Sequence, residues 1–239
     1  MAIVNLKNHK LCNACDSAYY MPNFLTEEQE SYIVEKVNSA PKPKWIQLKN
    51  RRLQNWGGIP HAKGLIPEKI PDWLNGFVKQ IDRLGVFPST NQPNHVLVNE
   101  YLPGQGIMPH LDGSLFYPTV TTISCGSHTI LNFYAAPKQD GGNGTLLNKK
   151  VYSIYLERRS LLILRESMYN DYLHGIEEIK EDIVDETLLN IKSCGLDTKK
   201  GKIILPRDTR ISLTVRNVPK VAKLNLNNLL KNNSNTEKH

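Results

Sequence analysis

From residue 95 onward, apolar and polar residues alternate with a period of two. The segments 95–101, 120–124, 129–134, 151–156, 160–164 and 210–215 read as strands, because successive side chains on an extended backbone point to opposite faces. Turn-forming stretches such as 139–144, Gln-Asp-Gly-Gly-Asn-Gly, separate them. The first ninety residues keep a helical period instead. Thr26-Glu-Glu-Gln29 matches a capping box, in which the threonine hydroxyl takes a free first-turn amide and Gln29 reaches back. Tyr32, Ile33 and Val37 carry that helix to about Asn38, and Pro41 and Pro43 stop it. Pro71 suits a first helical position, and Trp73, Leu74, Phe77, Val78, Ile81 and Leu84 form the apolar face of a second helix.

Many short strands after a helical start predict an α+β chain, mainly β: a barrel or sandwich with the N-terminal helices packed outside it. Residues 1–18 read as a flexible polar segment, and 19–24 as a short strand leading into the first helix. One domain spans 19–220. Within it, 177–206 reads as an insertion, and 221–239 as an Asn/Lys-rich tail in which Leu224, Leu226, Leu229 and Leu230 offer a turn or two of helix.

With 40% hydrophobic and 22% charged residues, the 239-residue chain is of soluble globular type. No apolar run is long enough to cross a bilayer, and the opening Met1-Ala-Ile-Val-Asn is too short for a signal-peptide core. Four cysteines are too few for a disulfide scaffold, so reduced thiols and a cytosolic or nuclear setting are expected. Cys12-x-x-Cys15 lacks a second ligand pair, which favours structural or incidental cysteines over half a zinc site.

The net charge of +7 is unevenly placed. The stretch 42–69 holds seven basic residues against Glu68, and 177–186 holds six acids against Lys180. The basic stretch suits a polyanion such as nucleic acid, or a solvated lysine-rich loop. Trp45 and Trp56 inside it either anchor a long loop or stack on bases while Lys44, Arg51 and Arg52 grip phosphates. Tyr117 is a candidate for the substrate entrance. His128 reads as a loop or strand-start residue, and His61 and His95 have no partner pattern.

His110-Leu-Asp112 puts an imidazole and a carboxylate on one face of an extended segment, just after the turn Leu102-Pro-Gly-Gln-Gly106. His174 follows 64 residues later. Two histidines and one carboxylate that leave open positions form the facial triad of non-haem iron(II) oxygenases. In Arg210-Ile-Ser-Leu-Thr-Val-Arg216 one face is wholly apolar, while the other carries two guanidinium groups with Ser212 and Thr214 between them. If that polar face meets solvent, it is an ordinary edge strand. If it faces a barrel interior, the arginines need anions, and a dicarboxylate fits. Asn99 and Tyr101 share a face of a strand that runs toward His110.

In this order, Asn99-x-Tyr101, Pro103-Gly104, His110-x-Asp112, His174-Gly175-Ile176 and Arg210-x-Ser-x-Thr-x-Arg216 resemble the AlkB-type dioxygenases over roughly residues 19–220. Arg52-Leu-Gln-Asn-Trp-Gly-Gly58 and Pro118-Thr-Val-Thr-Thr-Ile123 further resemble one numbered branch of that family in animals and plants. The resemblance implies a double-stranded β-helix (jelly-roll) core and iron(II) held by His110, Asp112 and His174. It also implies 2-oxoglutarate as co-substrate, held by Asn99, Tyr101, Arg210 and Arg216 with Ser212 lining the site, and O2 as oxidant. Segment 42–69 would correspond to a nucleotide lid. Two departures stand out: AlkB itself has asparagine at the Ser212 position, and the gap from His174 to Arg210 is longer than in the simplest relatives. The implied activity is oxidative demethylation of a nucleic acid, on a single-stranded or flipped base. The alternatives are the same chemistry on a protein side chain, or a nucleic-acid reader with little turnover.

Overall fold

The computed structural model describes residues 5–11, 17–135 and 149–222. In chain order the elements are β1 (Ala18–Met21), α1 (Glu27–Asn38), β2 (Ile46–Gln47), β3 (Arg52–Trp56), β4 (Gly58–His61), β5 (Gly64–Pro67), α2 (Asp72–Asp82), β6 (His95–Tyr101), β7 (Ile107–His110), β8 (Thr119–Cys125), β9 (Thr129–Ala135) and β10 (Lys150–Leu156). They continue with β11 (Leu161–Arg165), α3 (Glu166–Asn170), β12 (Tyr172–Ile176), β13 (Glu181–Val184), β14 (Ile203–Pro206) and β15 (Arg210–Arg216). A seven-stranded antiparallel sheet, β1-β11-β8-β15-β6-β3-β2, faces a four-stranded one, β10-β9-β12-β7. The hairpins β4–β5 and β13–β14 stand apart from both. These facing antiparallel sheets are the jelly-roll core.

The period of two in β15 decides what each face of the large sheet does. Ile211, Leu213 and Val215 pack with Val96, Val98 and Ile123 against Ile33 and Val37 of α1 and Leu74, Phe77 and Ile81 of α2. Between the sheets a second core gathers Tyr101, Val120, Leu131, Phe133, Ile154, Leu156 and Leu164. Each fully buried side chain of this size contributes about 1.5–3 kcal/mol of hydrophobic stabilisation. Helix α1 starts where its capping box places it: Gln29 N–H donates to the Thr26 hydroxyl at 3.2 Å, and Thr26 N–H donates to Gln29 Oε1 at 2.9 Å. Pro71 is the N-cap of α2, one residue outside the helix.

Three segments depart from the sequence reading. Within 1–18, residues 5–11 are built into the fold: Leu6–His9 is a 3-10 helix, and Leu11 is buried in the inter-sheet core. The basic stretch 42–69 is mostly sheet rather than a long loop, and its β3 pairs along β6. Segment 177–206 is no free excursion either. Val184, Leu188, Ile191 and Cys194 pack into the inter-sheet core, and Asp182, fully buried, accepts two hydrogen bonds from Arg207 at 2.7 and 2.8 Å. The turn at 139–144, Cys12, Cys15 and the leucines of the tail lie outside the described residues. Among the described residues no helix is long and apolar enough to cross a membrane.

Candidate metal and co-substrate site

A cavity of about 260 Å³ lies between the two sheets. The large sheet supplies Asn99 and Tyr101 from β6, Val120 and Thr122 from β8, and Arg210, Ser212, Thr214 and Arg216 from β15. These come together because the ladder pairs Arg210 with Tyr101 and Ser212 with Asn99. The small sheet and the segment after β7 supply Ile107, His110, Leu111, Asp112, Leu131, Leu156, His174 and Ile176.

The two histidines meet across a ladder. His174 of β12 is the direct partner of His110 of β7, and their ring centroids lie 4.5 Å apart. Gly175 allows the two strands to approach, since a Cβ there would sit 2.9 Å from the Pro109 nitrogen. Asp112 follows β7 on the same face, and one ligand atom from each of His110, Asp112 and His174 lies within 4.8 Å of the others. His110 Nδ1 lies 2.9 Å from the Met108 carbonyl oxygen, which holds the proton on Nδ1 and leaves Nε2 for a ligand. Burial pushes the His174 imidazole down to about 4, so it is the neutral, metal-binding form at pH 7. Arg216 donates to Asp112 Oδ1 at 3.1 Å, while Asp112 Oδ2 is buried with no protein partner. A buried carboxylate oxygen without a donor, beside two imidazoles, is what a divalent cation satisfies.

About 20 Å of β15 separates Arg210 from Arg216. Arg210 is 4% exposed, donates to Ser124 Oγ at 2.9 Å, and has a buried Nε with no partner. Its burial lowers the guanidinium to about 10, a sign that the nearby protein groups do not compensate its charge. A bound carboxylate would. The polar face of β15 therefore looks inward, and the edge-strand alternative fails.

The remaining expected contacts fall in different places. Arg51 lines the cavity and donates through Nε to Asn99 Oδ1 at 3.1 Å. Its neighbour Arg52 turns to the opposite face, donating twice to Glu100 at 2.6 and 2.7 Å and covering the Trp45 ring at 3.9 Å. Lys44 is engaged by Glu68 at 2.7 Å and by the Trp56 ring at 4.3 Å. Trp45 and Trp56 pack on the helix-side core, Trp56 edge-on to Trp73, so they anchor the basic segment to the domain. Tyr117 packs on that same core and is not among the cavity residues, whereas its neighbour Phe116 stacks under Arg216 at 4.1 Å. His128 stands just before β9, 3.4 Å from the Asp182 carboxylate. His95, without a partner by sequence, is buried with Nε2 3.2 Å from Asn55 Oδ1, and burial with the nearby Arg216 charge pushes it down to about 3.

Residues 9–216 match the 2OG-Fe(II) oxygenase superfamily. The chain is 47% identical over 226 residues, 94% of its length and 95% of the relative's, to the Danio rerio protein named "Probable RNA/DNA demethylase ALKBH6". The chain belongs to the AlkB family. A second match is 32% identical over 206 residues, 83% of both chains, to the Acanthamoeba polyphaga mimivirus protein named "Uncharacterized protein L905". Solved structures share the fold: OsALKBH1, with a TM-score of 0.52 and 17% identity, covers 84% of this chain and 97% of its own. A 2OG-Fe(II) oxygenase from Burkholderia pseudomallei gives 0.52 at 9% identity, covering 85% of this chain and 84% of its own. This AlkB-family protein is thus an iron(II)- and 2-oxoglutarate-dependent dioxygenase that uses O2.

Proposed function

We propose that this dioxygenase removes methyl groups from bases of a nucleic acid, with His110, Asp112 and His174 as the iron ligands. Arg210 meets the far carboxylate of 2-oxoglutarate, with Asn99, Tyr101 and Ser212 on the same wall. One observation carries the assignment of the site: a buried guanidinium short of anionic partners and a facial triad line a single cavity. When bound, iron(II), 2-oxoglutarate and O2 supply oxidation of a substrate C–H bond, coupled to decarboxylation of the co-substrate to succinate and CO2. If that bond belongs to an N-methyl group, the N-hydroxymethyl product releases formaldehyde.

The chain's own groups bind and orient. Arg216 fixes Asp112 through Oδ1 and leaves Oδ2 for the metal. The carbonyl of Met108 fixes the tautomer of His110. Leu131, Leu156, Leu164 and Ile176 give the cavity dry walls, which excludes water from the reacting atoms.

The nucleic-acid substrate is supported by the name of the ALKBH6 relative and by the charge of segment 42–69. With Lys44 and Arg52 held by carboxylates, Lys42, Lys49 and Lys63 remain exposed with no carboxylate partner among the described residues. These three are the phosphate contacts we assign. The test is an anaerobic titration of the iron(II) protein with 2-oxoglutarate, followed in air by succinate and formaldehyde release from methylated single strands. Equal release with methylated and unmethylated strands sinks the substrate assignment.

A further inference from the structure

We infer that the cavity takes an uncharged methylated base in preference to a cationic one, and that Arg51 sets this preference. The inference rests on the nucleic-acid reading above. Three guanidinium groups line the cavity, Arg51, Arg210 and Arg216, against a single carboxylate, Asp112. Two of the three have an anion assigned: Arg216 donates to Asp112, and Arg210 faces the position of the dicarboxylate. Iron(II) and the 2-oxoglutarate dianion cancel each other's charge, so the loaded cavity keeps the net +2 of its own walls.

Arg51 is the cation left over. It ends the turn in which Leu48 N–H donates to the Arg51 carbonyl at 2.9 Å, and its side chain reaches over β6 to Asn99. Its positive charge, second to that of Arg210, acts on the phenol of Tyr101, which burial raises. Beyond Nε its two terminal nitrogens have no partner among the described residues. They remain free to donate to an acceptor on whatever enters. Glu178, which accepts from the Asn50 side chain next to Arg51 in sequence, is not a lining residue.

A base methylated on a ring nitrogen that becomes quaternary, such as 1-methyladenine or 3-methylcytosine, is a cation near neutral pH. N6-methyladenine and 3-methyluracil are uncharged and present a ring nitrogen or carbonyl oxygen that can accept a hydrogen bond. A cationic base would meet the positive walls without a free carboxylate to offset them. At an effective dielectric of ~20, typical near a protein surface, a unit charge in the wall of the same cavity corresponds to about tenfold or more in binding.

The experiment uses four single-stranded RNAs that differ only in the central base: the two cationic and the two neutral ones. Binding to the iron- and 2-oxoglutarate-loaded protein is read by fluorescence anisotropy under nitrogen, and formaldehyde release is read in air. The neutral bases should bind about tenfold or more tighter than their cationic counterparts. Arg51→Gln should narrow that ratio, Arg51→Glu should narrow it further, and Arg51→Lys should largely retain it. Taking the ratio across strands within one variant divides out any loss of folded protein. The affinity for 2-oxoglutarate is followed by absorbance of the iron complex in each variant, and every base comparison is made at saturating co-substrate. Preference for the cationic bases overturns the inference, and so does an unchanged ratio in both Arg51→Gln and Arg51→Glu. Loss of 2-oxoglutarate binding with the base ratio intact assigns Arg51 to the co-substrate and overturns it as well. If no methylated strand is bound or turned over better than an unmethylated one, the nucleic-acid reading itself falls, and the inference with it.

Discussion

Replacing Arg210 by methionine should raise the stability of the protein free of co-substrate and abolish 2-oxoglutarate binding. The guanidinium is 4% exposed, keeps one hydrogen bond to Ser124, and leaves Nε unpartnered. Burial lowers it from the ordinary arginine range to about 10. A base whose folded-state value is depressed costs stability fully below that folded value, and the cost fades as pH rises toward the unfolded one. The penalty therefore acts in full at pH 7, and a shift of this size corresponds to about 3 kcal/mol. Losing the Ser124 bond returns about 1 kcal/mol of it. The expected net gain is about 2 kcal/mol, a rise in Tm of roughly 4–8 °C for a chain of this size. Saturating 2-oxoglutarate at a hundred times its Kd should stabilise the parent by about 2.7 kcal/mol and leave Arg210→Met unmoved. Arg210→Lys keeps the charge but loses the planar fork, so its 2-oxoglutarate affinity should fall by about ten- to a hundredfold. The assay is thermal unfolding with and without 2-oxoglutarate, beside anaerobic absorbance titration of the iron complex. A methionine variant that binds 2-oxoglutarate like the parent refutes the reasoning, whatever its Tm.

His110→Ala, Asp112→Ala and His174→Ala should each abolish iron retention and succinate formation, measured by metal analysis after desalting; three variants that keep iron like the parent remove the triad assignment. Neutralising Lys42, Lys49 and Lys63 together should flatten the dependence of log K on log salt for a single strand by up to about two, read by anisotropy between low and moderate salt. Arg52→Gln should leave that slope alone and lower stability by roughly 1–3 kcal/mol, because Glu100, almost fully buried, loses both of its charged donors. Asp182→Asn should cost about 3–5 kcal/mol, since it leaves the Arg207 charge buried and unpaired, and hydrogen exchange should report the loss first in β13 and β14.

What the sequence conveyed, and what it concealed, follows from which residues fill inward positions. Strands β6, β8, β9 and β15 were legible because their helix-side or core-side positions are aliphatic, so alternation survives in the letters. In β3 the inward residue beside Leu53 is Gln54, fully buried and satisfied by donating to the Val37 carbonyl at 2.9 Å. A polar residue in a core position erases the alternation, so the basic stretch read as a loop. In β13 the pattern is inverted: Asp182 and Val184 point inward, while Ile183 is 53% exposed. A charge inside and an isoleucine outside make sense only once Arg207 is placed beside Asp182, and that pairing is not local in sequence. The grouping of His110 with Asp112 was legible because His-x-Asp is a local statement about one extended face, whereas the pairing of His174 with His110 depends on the β7–β12 ladder and its bulge. Arg51 shows the opposite case, a signal present and not used. Asn99 and Glu100 point to opposite faces of β6, so two consecutive arginines on the neighbouring segment, Arg51 and the first residue of β3, must divide between them. Arg51 goes to Asn99 and the cavity, and Arg52 to Glu100 and the helix side. The same alternation that identified the polar face of β15 thus separates a residue that lines the cavity from a residue of the scaffold, one position apart.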